Sequence, residues 1–129
     1  MCRLQLDDLL TELRRRKWTL FRWGEPAAPT LVAAVHQWDT CADVLILRSE
    51  DDATAFRVPT TQGSKPFAPE KVTYQYHSNA LWTLRAILAL PTPGSTGAPA
   101  TIETPHANCC VPDRLPRPAL IRPLSPHPR

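Results

Sequence analysis

The chain has 129 residues, with 15 lysines and arginines against 12 aspartates and glutamates, for a formal charge of +3. That length suits one domain, and so small an excess lacks the strongly basic balance of a dedicated nucleic-acid binder. Four cysteines, Cys2, Cys41, Cys109 and Cys110, lie without a regular frame and exclude a small disulfide scaffold. No apolar stretch approaches the roughly 20 residues of a membrane helix, and no charged-then-apolar leader opens the chain. The expected setting is the cytoplasm, with reduced thiols and no membrane contact.

Residues 3–16, RLQLDDLLTELRRR, place Leu6, Leu9, Leu10 and Leu13 on one helical stripe, with Cys2 on the same side. Asp7, Asp8 and Glu12 precede Arg14, Arg15, Arg16 and Lys17, so the charge runs in the direction a helix dipole favours. The basic run, with Arg22, invites a nucleic-acid contact; the plainer reading is a solvated helix end.

Trp18 to Trp23, WTLFRW, reads as a short strand stopped by Gly24, Glu25 and Pro26. In residues 30–38, TLVAAVHQW, the alanines favour helix while Val32, Val35 and Trp38 favour sheet. Strand is preferred, because Asp39, Thr40 and Cys41 make a tight connection into the next segment. Residues 42–59, ADVLILRSEDDATAFRVP, are the stretch around which the chain is arranged. The apolar run Val44 to Leu47, the polar cluster Ser49 to Asp52 and a second β-compatible run form a hairpin signal, and the unbroken run marks a strand buried on both faces.

Pro69 and Glu70 suit a helix start. Wound at about 100° per residue, the segment from there to Leu90 gathers Tyr74, Tyr76, His77, Ala80, Leu84 and Ile87 on one side. Lys71, Gln75, Ser78, Trp82 and Arg85 fall on the other, expected in water. Beyond Leu90 the composition changes, with ten of the 15 prolines between Pro91 and Arg129. That stretch reads as a disordered or polyproline-like tail. The expected layout is one small α+β domain over residues 1–90: an N-terminal helix, a three- to four-stranded antiparallel meander and a C-terminal helix packed on the sheet, followed by a Pro-rich disordered tail over 91–129.

No phosphate loop, dinucleotide fingerprint, nucleophile elbow or H-E-x-x-H occurs, which lowers the prospect of an enzyme; no cofactor is expected. Trp82, with Lys71, Gln75, Ser78 and Arg85 around it, has the composition of a contact anchor, and leads to a non-enzymatic interaction module whose partner is another protein or a second copy. Cover by its own chain is the plainer alternative. His77, with Tyr74 and Tyr76, supports a third reading as a small enzyme or ligand-binding domain with a pocket; a core histidine bonded to a neighbour is commoner. His36 would need geometry to join it.

Asp39 and Asp43 flank one turn, while Glu50, Asp51 and Asp52 fill the next; turn formation explains them better than cation binding. His106, Cys109 and Cys110 offer soft ligands, yet adjacent cysteines suit an oxidation-sensitive thiol pair better than a zinc site, so no metal is expected. A P-x-x-P at Pro123 to Pro126 is unremarkable in so proline-rich a region. At ADVLILRSEDDATAFRVP and YHSNALWTLRAILALP the chain resembles small uncharacterised proteins of high-GC actinomycete bacteria. The resemblance spans roughly residues 18–92 and implies no activity or site residue.

Overall fold

The structure, a computed structural model, describes residue 8 and residues 11–24, 29–60, 65–111 and 118–121. Residues 11–15 are helical (α1), followed by strands β1 (Thr19–Gly24), β2 (Pro29–Gln37), β3 (Cys41–Ser49), β4 (Asp52–Pro59) and β5 (Tyr74–Ser78), helix α2 (Ala80–Leu88) and strand β6 (Ala119–Ile121). The strands form one antiparallel sheet in the order β5-β4-β3-β2-β1-β6. The α+β class and the antiparallel meander accord with the sequence reading, whereas six strands exceed the three or four expected. The expectations that fall on Cys2, Leu6, Asp7, Leu9 and Leu10 lie outside the described residues.

Leu13 is the described end of the leucine stripe, and it is wholly buried. α1 stops through a paired closure: the Trp18 N–H donates to the Leu13 carbonyl at 3.0 Å and the Lys17 N–H to the Arg14 carbonyl at 3.1 Å. Lys17 takes the left-handed conformation this closure requires, with φ 73°, where glycine is the usual occupant. Trp18 is thereby delivered straight from the helix onto the sheet.

Period-two alternation sorts the strands into two faces. On the first, Trp18, Leu20, Ala34, Leu45, Leu47, Ala53 and Ala55 meet Leu13 of α1 and Ala80, Leu84 and Ile87 of α2. On the second, Trp23, Val44, Ile46, Phe56 and Val58 lie under Phe67, Val72, Cys109 and Val111. Coverage on both sides explains why Cys41 to Leu47 is continuously buried and why that stretch is apolar without alternation.

Two expectations need correction. The helix expected from Pro69 onward begins only at Ala80, and Tyr74–Ser78 is a strand paired with β4. Asn79 marks the switch: its backbone is extended, and its side-chain Oδ1 accepts from the Trp82 N–H at 2.9 Å, a helix N-cap. Thr73, Tyr74 and Tyr76 ahead of it favour strand, and packing beside β4 decides the matter.

The Pro-rich stretch, expected to be a structureless appendage, returns to the sheet in its described parts. Val72 and Glu103 exchange backbone bonds, the Val111 N–H donates to the Phe67 carbonyl, Cys109 is buried, and β6 pairs with β1. Proline removes donors but not carbonyls, and isolated bridges with a few apolar anchors suffice to lay such a segment on a sheet. Among the described residues no helix is long and apolar enough to cross a membrane.

Because Leu84 is fully buried while Trp82 is 54% exposed, the two faces of α2 carry unequal weight. Leu84→Ala is expected to lower stability by about 2–5 kcal/mol, and Trp82→Ala to stay within about 0.5 kcal/mol of the parent. Urea unfolding of both variants measures the difference.

Candidate functional site

One row of residues crosses the helical face at the end of the sheet near the C-terminus of α2. Register places His36 opposite Asp43, Asp43 opposite Arg57, and Arg57 opposite Tyr74. Asp43 and Arg57 are each 2% exposed, so two charges stand inside the fold. They are held together by a two-pronged contact: Arg57 Nε to Asp43 Oδ1 at 2.6 Å and Nη2 to Oδ2 at 3.0 Å. The third nitrogen, Nη1, donates to the Pro91 carbonyl at 2.9 Å, and the Trp38 indole N–H donates to Asp43 Oδ2 at 2.9 Å. Burial works against the Arg57 charge, yet the hydrogen bonds and charge of Asp43 outweigh it and its pKa stands raised. The Arg57 guanidinium therefore keeps its charge at any ordinary pH.

Beside this pair lies a cavity of about 240 Å³. Its walls are aromatic: Trp18 stacks on His36 with ring centroids 5.6 Å apart at 29°, and Trp38 meets the His36 edge at 4.7 Å and 80°. Ile87, Leu88 and Leu90 close it from the helix side, Asp43 lies at its floor, and Arg16 and Thr92 stand at its rim. His36 Nδ1 is buried without a hydrogen-bond partner among the described residues. Such walls offer ring surfaces and apolar contact. Sequence reasoning kept His36 only as an unplaced possibility and missed Trp18, Trp38 and the buried role of Asp43. The signal that could have found them is the β2–β3 register, which aligns His36 with Asp43 once the turn at 38–41 is fixed.

His77, Tyr74 and Tyr76, expected around one pocket, lie on two different faces of β5. His77 is exposed on the edge strand, opposite Thr54, with Nε2 at 2.8 Å from Asp52 Oδ1. Its assignment to a core arc fails because the segment has strand rather than helix period, which turns His77 and Gln75 to one face and Tyr74 and Tyr76 to the other. Tyr74 packs against the helical-face core, and burial pushes its hydroxyl pKa up. Tyr76 is 37% exposed.

The five residues expected on one helix face are likewise divided. Only Trp82 and Arg85 lie on α2, with the Arg85 guanidinium 5.5 Å from the Trp82 ring centroid. Lys71 is exposed ahead of β5, and Ser78 ends that strand. Gln75 instead fastens the second-face segment, its Nε2 donating to Glu103 Oε1 and the Thr104 carbonyl at 3.1 Å each, while its Oε1 accepts from the His106 N–H at 2.8 Å.

The basic set is spread rather than gathered. Arg15 and Arg16 both reach Glu12, at 3.9 and 2.9 Å. Arg14 and Lys17 sit at the end of α1, while Arg22 lies within β1 with its Nε buried and, among the described residues, without a hydrogen-bond partner. Asp39 occupies the β2–β3 turn and is exposed; Asp43, expected beside that turn as a turn former, is a buried strand residue. Glu50 and Asp51 make the β3–β4 turn, and Asp52 opens β4, where Arg48 and His77 contact it. Among the described residues, no three of histidine, cysteine, aspartate and glutamate gather as a metal site would require.

Cys41, Cys109 and Cys110 are free thiols, but the expected flexible pair is unequal: Cys109 is buried and Cys110 exposed. Burial pushes the Cys41 and Cys109 thiols above the usual 9.0.

Asp43→Ala strands the Arg57 charge and is expected to cost about 3–5 kcal/mol, while D43L/R57M recovers most of that loss; chemical denaturation of the two variants tests it. A second expectation concerns alkaline pH. Raised thiol pKa values keep the native state protonated where the unfolded chain ionises, so stability is intact below 9.0 and falls as pH rises above it. C41A/C109A flattens that decline, read as the urea midpoint against pH.

Comparison with known proteins finds no matching family model, no matching curated protein and no matching solved structure.

Proposed function

We propose that this chain is a non-enzymatic protein-interaction module that docks another protein on the outward side of α2 and the adjoining β5 edge. The observation that carries this reading is Trp82. It is 54% exposed, with Arg85 stacked over it, on a helix whose Ala80, Thr83, Leu84 and Ile87 already serve the interior. The fold gains little from that indole, and tryptophan beside arginine is the pairing most enriched among residues that dominate binding energy.

β5 adds a second feature. It is the terminal strand of the sheet, and among the described residues its outer side is bridged by Glu103 only at Val72, ahead of the strand proper. An unpaired edge next to an aromatic anchor favours a partner that contributes an extended segment. Tyr76, on that strand and partly exposed, extends the apolar character of the surface. Free thiols at Cys41, Cys109 and Cys110 accord with a reducing, cytoplasmic setting. Contact with nucleic acid through Arg14 to Lys17 and Arg22 has less to stand on, since Glu12 already draws two of the arginines.

A photocrosslinking amino acid in place of Arg85 is expected to trap one discrete protein, or a second copy of the chain, in the producing cell. Trp82→Ala in the same background abolishes that product. A chain that yields no discrete adduct from this position, and remains monomeric by light scattering at every concentration, removes the reading.

A further inference from the structure

The aromatic cavity on the helical face is separate from the α2 surface and calls for its own account. We propose that it is a binding site for a small, flat, uncharged aromatic molecule of one or two rings. Three observations carry this.

Size comes first. A volume of about 240 Å³ accommodates a ring system of one or two rings. Wall chemistry comes second. Trp18, His36 and Trp38 present ring surfaces in two orientations, near-parallel and perpendicular, the two arrangements that aromatic neighbours prefer. Ile87 and Leu88 supply apolar contact from the opposite side.

Charge decides the rest. An aromatic cage can also hold an organic cation, provided a carboxylate is free to face it. Here the one carboxylate in the wall is Asp43, and both of its oxygens are engaged, by Arg57 twice and by the Trp38 indole once. With that charge matched, the cavity offers a cation no net attraction. An anion gains little either, because Arg16 is already paired with Glu12 at 2.9 Å. A neutral ring remains.

Indole is the probe, with benzyltrimethylammonium as its cationic counterpart, each titrated into the full chain and followed by calorimetry and ligand-observed NMR. Indole is expected to bind saturably, and the cation at least about tenfold more weakly. Trp38→Ala is expected to weaken indole by about tenfold. Should that variant fail to fold, Leu88→Trp provides the independent test: it fills the cavity with a ring while retaining the apolar wall, and is expected to abolish binding. Ile102→Ser, on an exposed residue away from the cavity, leaves binding unchanged. The proposal is overturned if indole shows no saturable binding to the parent chain, if binding persists undiminished in Leu88→Trp, or if the cation binds as tightly as indole.

Discussion

Asp43 and Arg57 face one another on the central strands β3 and β4, and two other parts of the chain converge on them. Through Trp38 the pair orients the turn that joins β2 to β3; through the Pro91 carbonyl it receives the chain as it leaves α2. A buried ion pair is not in itself a source of stability, because removing two charges from water costs about as much as their attraction returns. Its value here is positional. Every charged nitrogen of Arg57 has an acceptor, so the arrangement that satisfies all of them is far better than near alternatives, and that arrangement sets both the sheet register and the path after the helix.

The same interaction explains why the cavity lies where it does. The row of Trp18, His36, Asp43 and Arg57 interrupts an otherwise aliphatic face. Large rings and a salt-bridged pair do not interdigitate with Ile87 and Leu88 as leucines and alanines do further along, and a gap is left at the helix end. The opposite face is packed by rings: Phe67 sets its edge against Phe21 and Trp23 at 5.1 and 5.8 Å, and Cys109 and Val72 complete that layer.

Much of this was legible in the sequence, and the parts that were not have identifiable causes. Strand runs at 18–23 and 42–59 were clear because β-branched and aromatic residues cluster there between polar turns, whereas 30–38 stood between helix and strand and only the tight connection after it favoured strand. Leu84 and Ile87 inward with Trp82 outward followed from helical spacing, and the structure agrees on those positions. The error lay in carrying one period across Asn79. Tyr74 to Ser78 fits a helical arc when wound onto the residues after it, and only the capping role of Asn79 separates the two elements. The second-face cover was concealed by composition, since proline content signals the loss of regular ladders without showing that single anchors such as Cys109 are buried. Asp43 was hidden for a related reason: beside an aspartate-rich turn it reads as polar punctuation, and its partner Arg57 becomes visible only with the β3–β4 register.

The pairing of β6 with β1 bears on how the molecule is made. Leu20 lies opposite Ile121, so β1 meets its outer neighbour only after all the residues between them have been synthesised. Until then one flank of the nascent meander presents unsatisfied backbone groups, the kind of surface on which polypeptides stack wrongly. Arg22, with its charge in the midst of that strand, is placed to discourage such stacking during the wait.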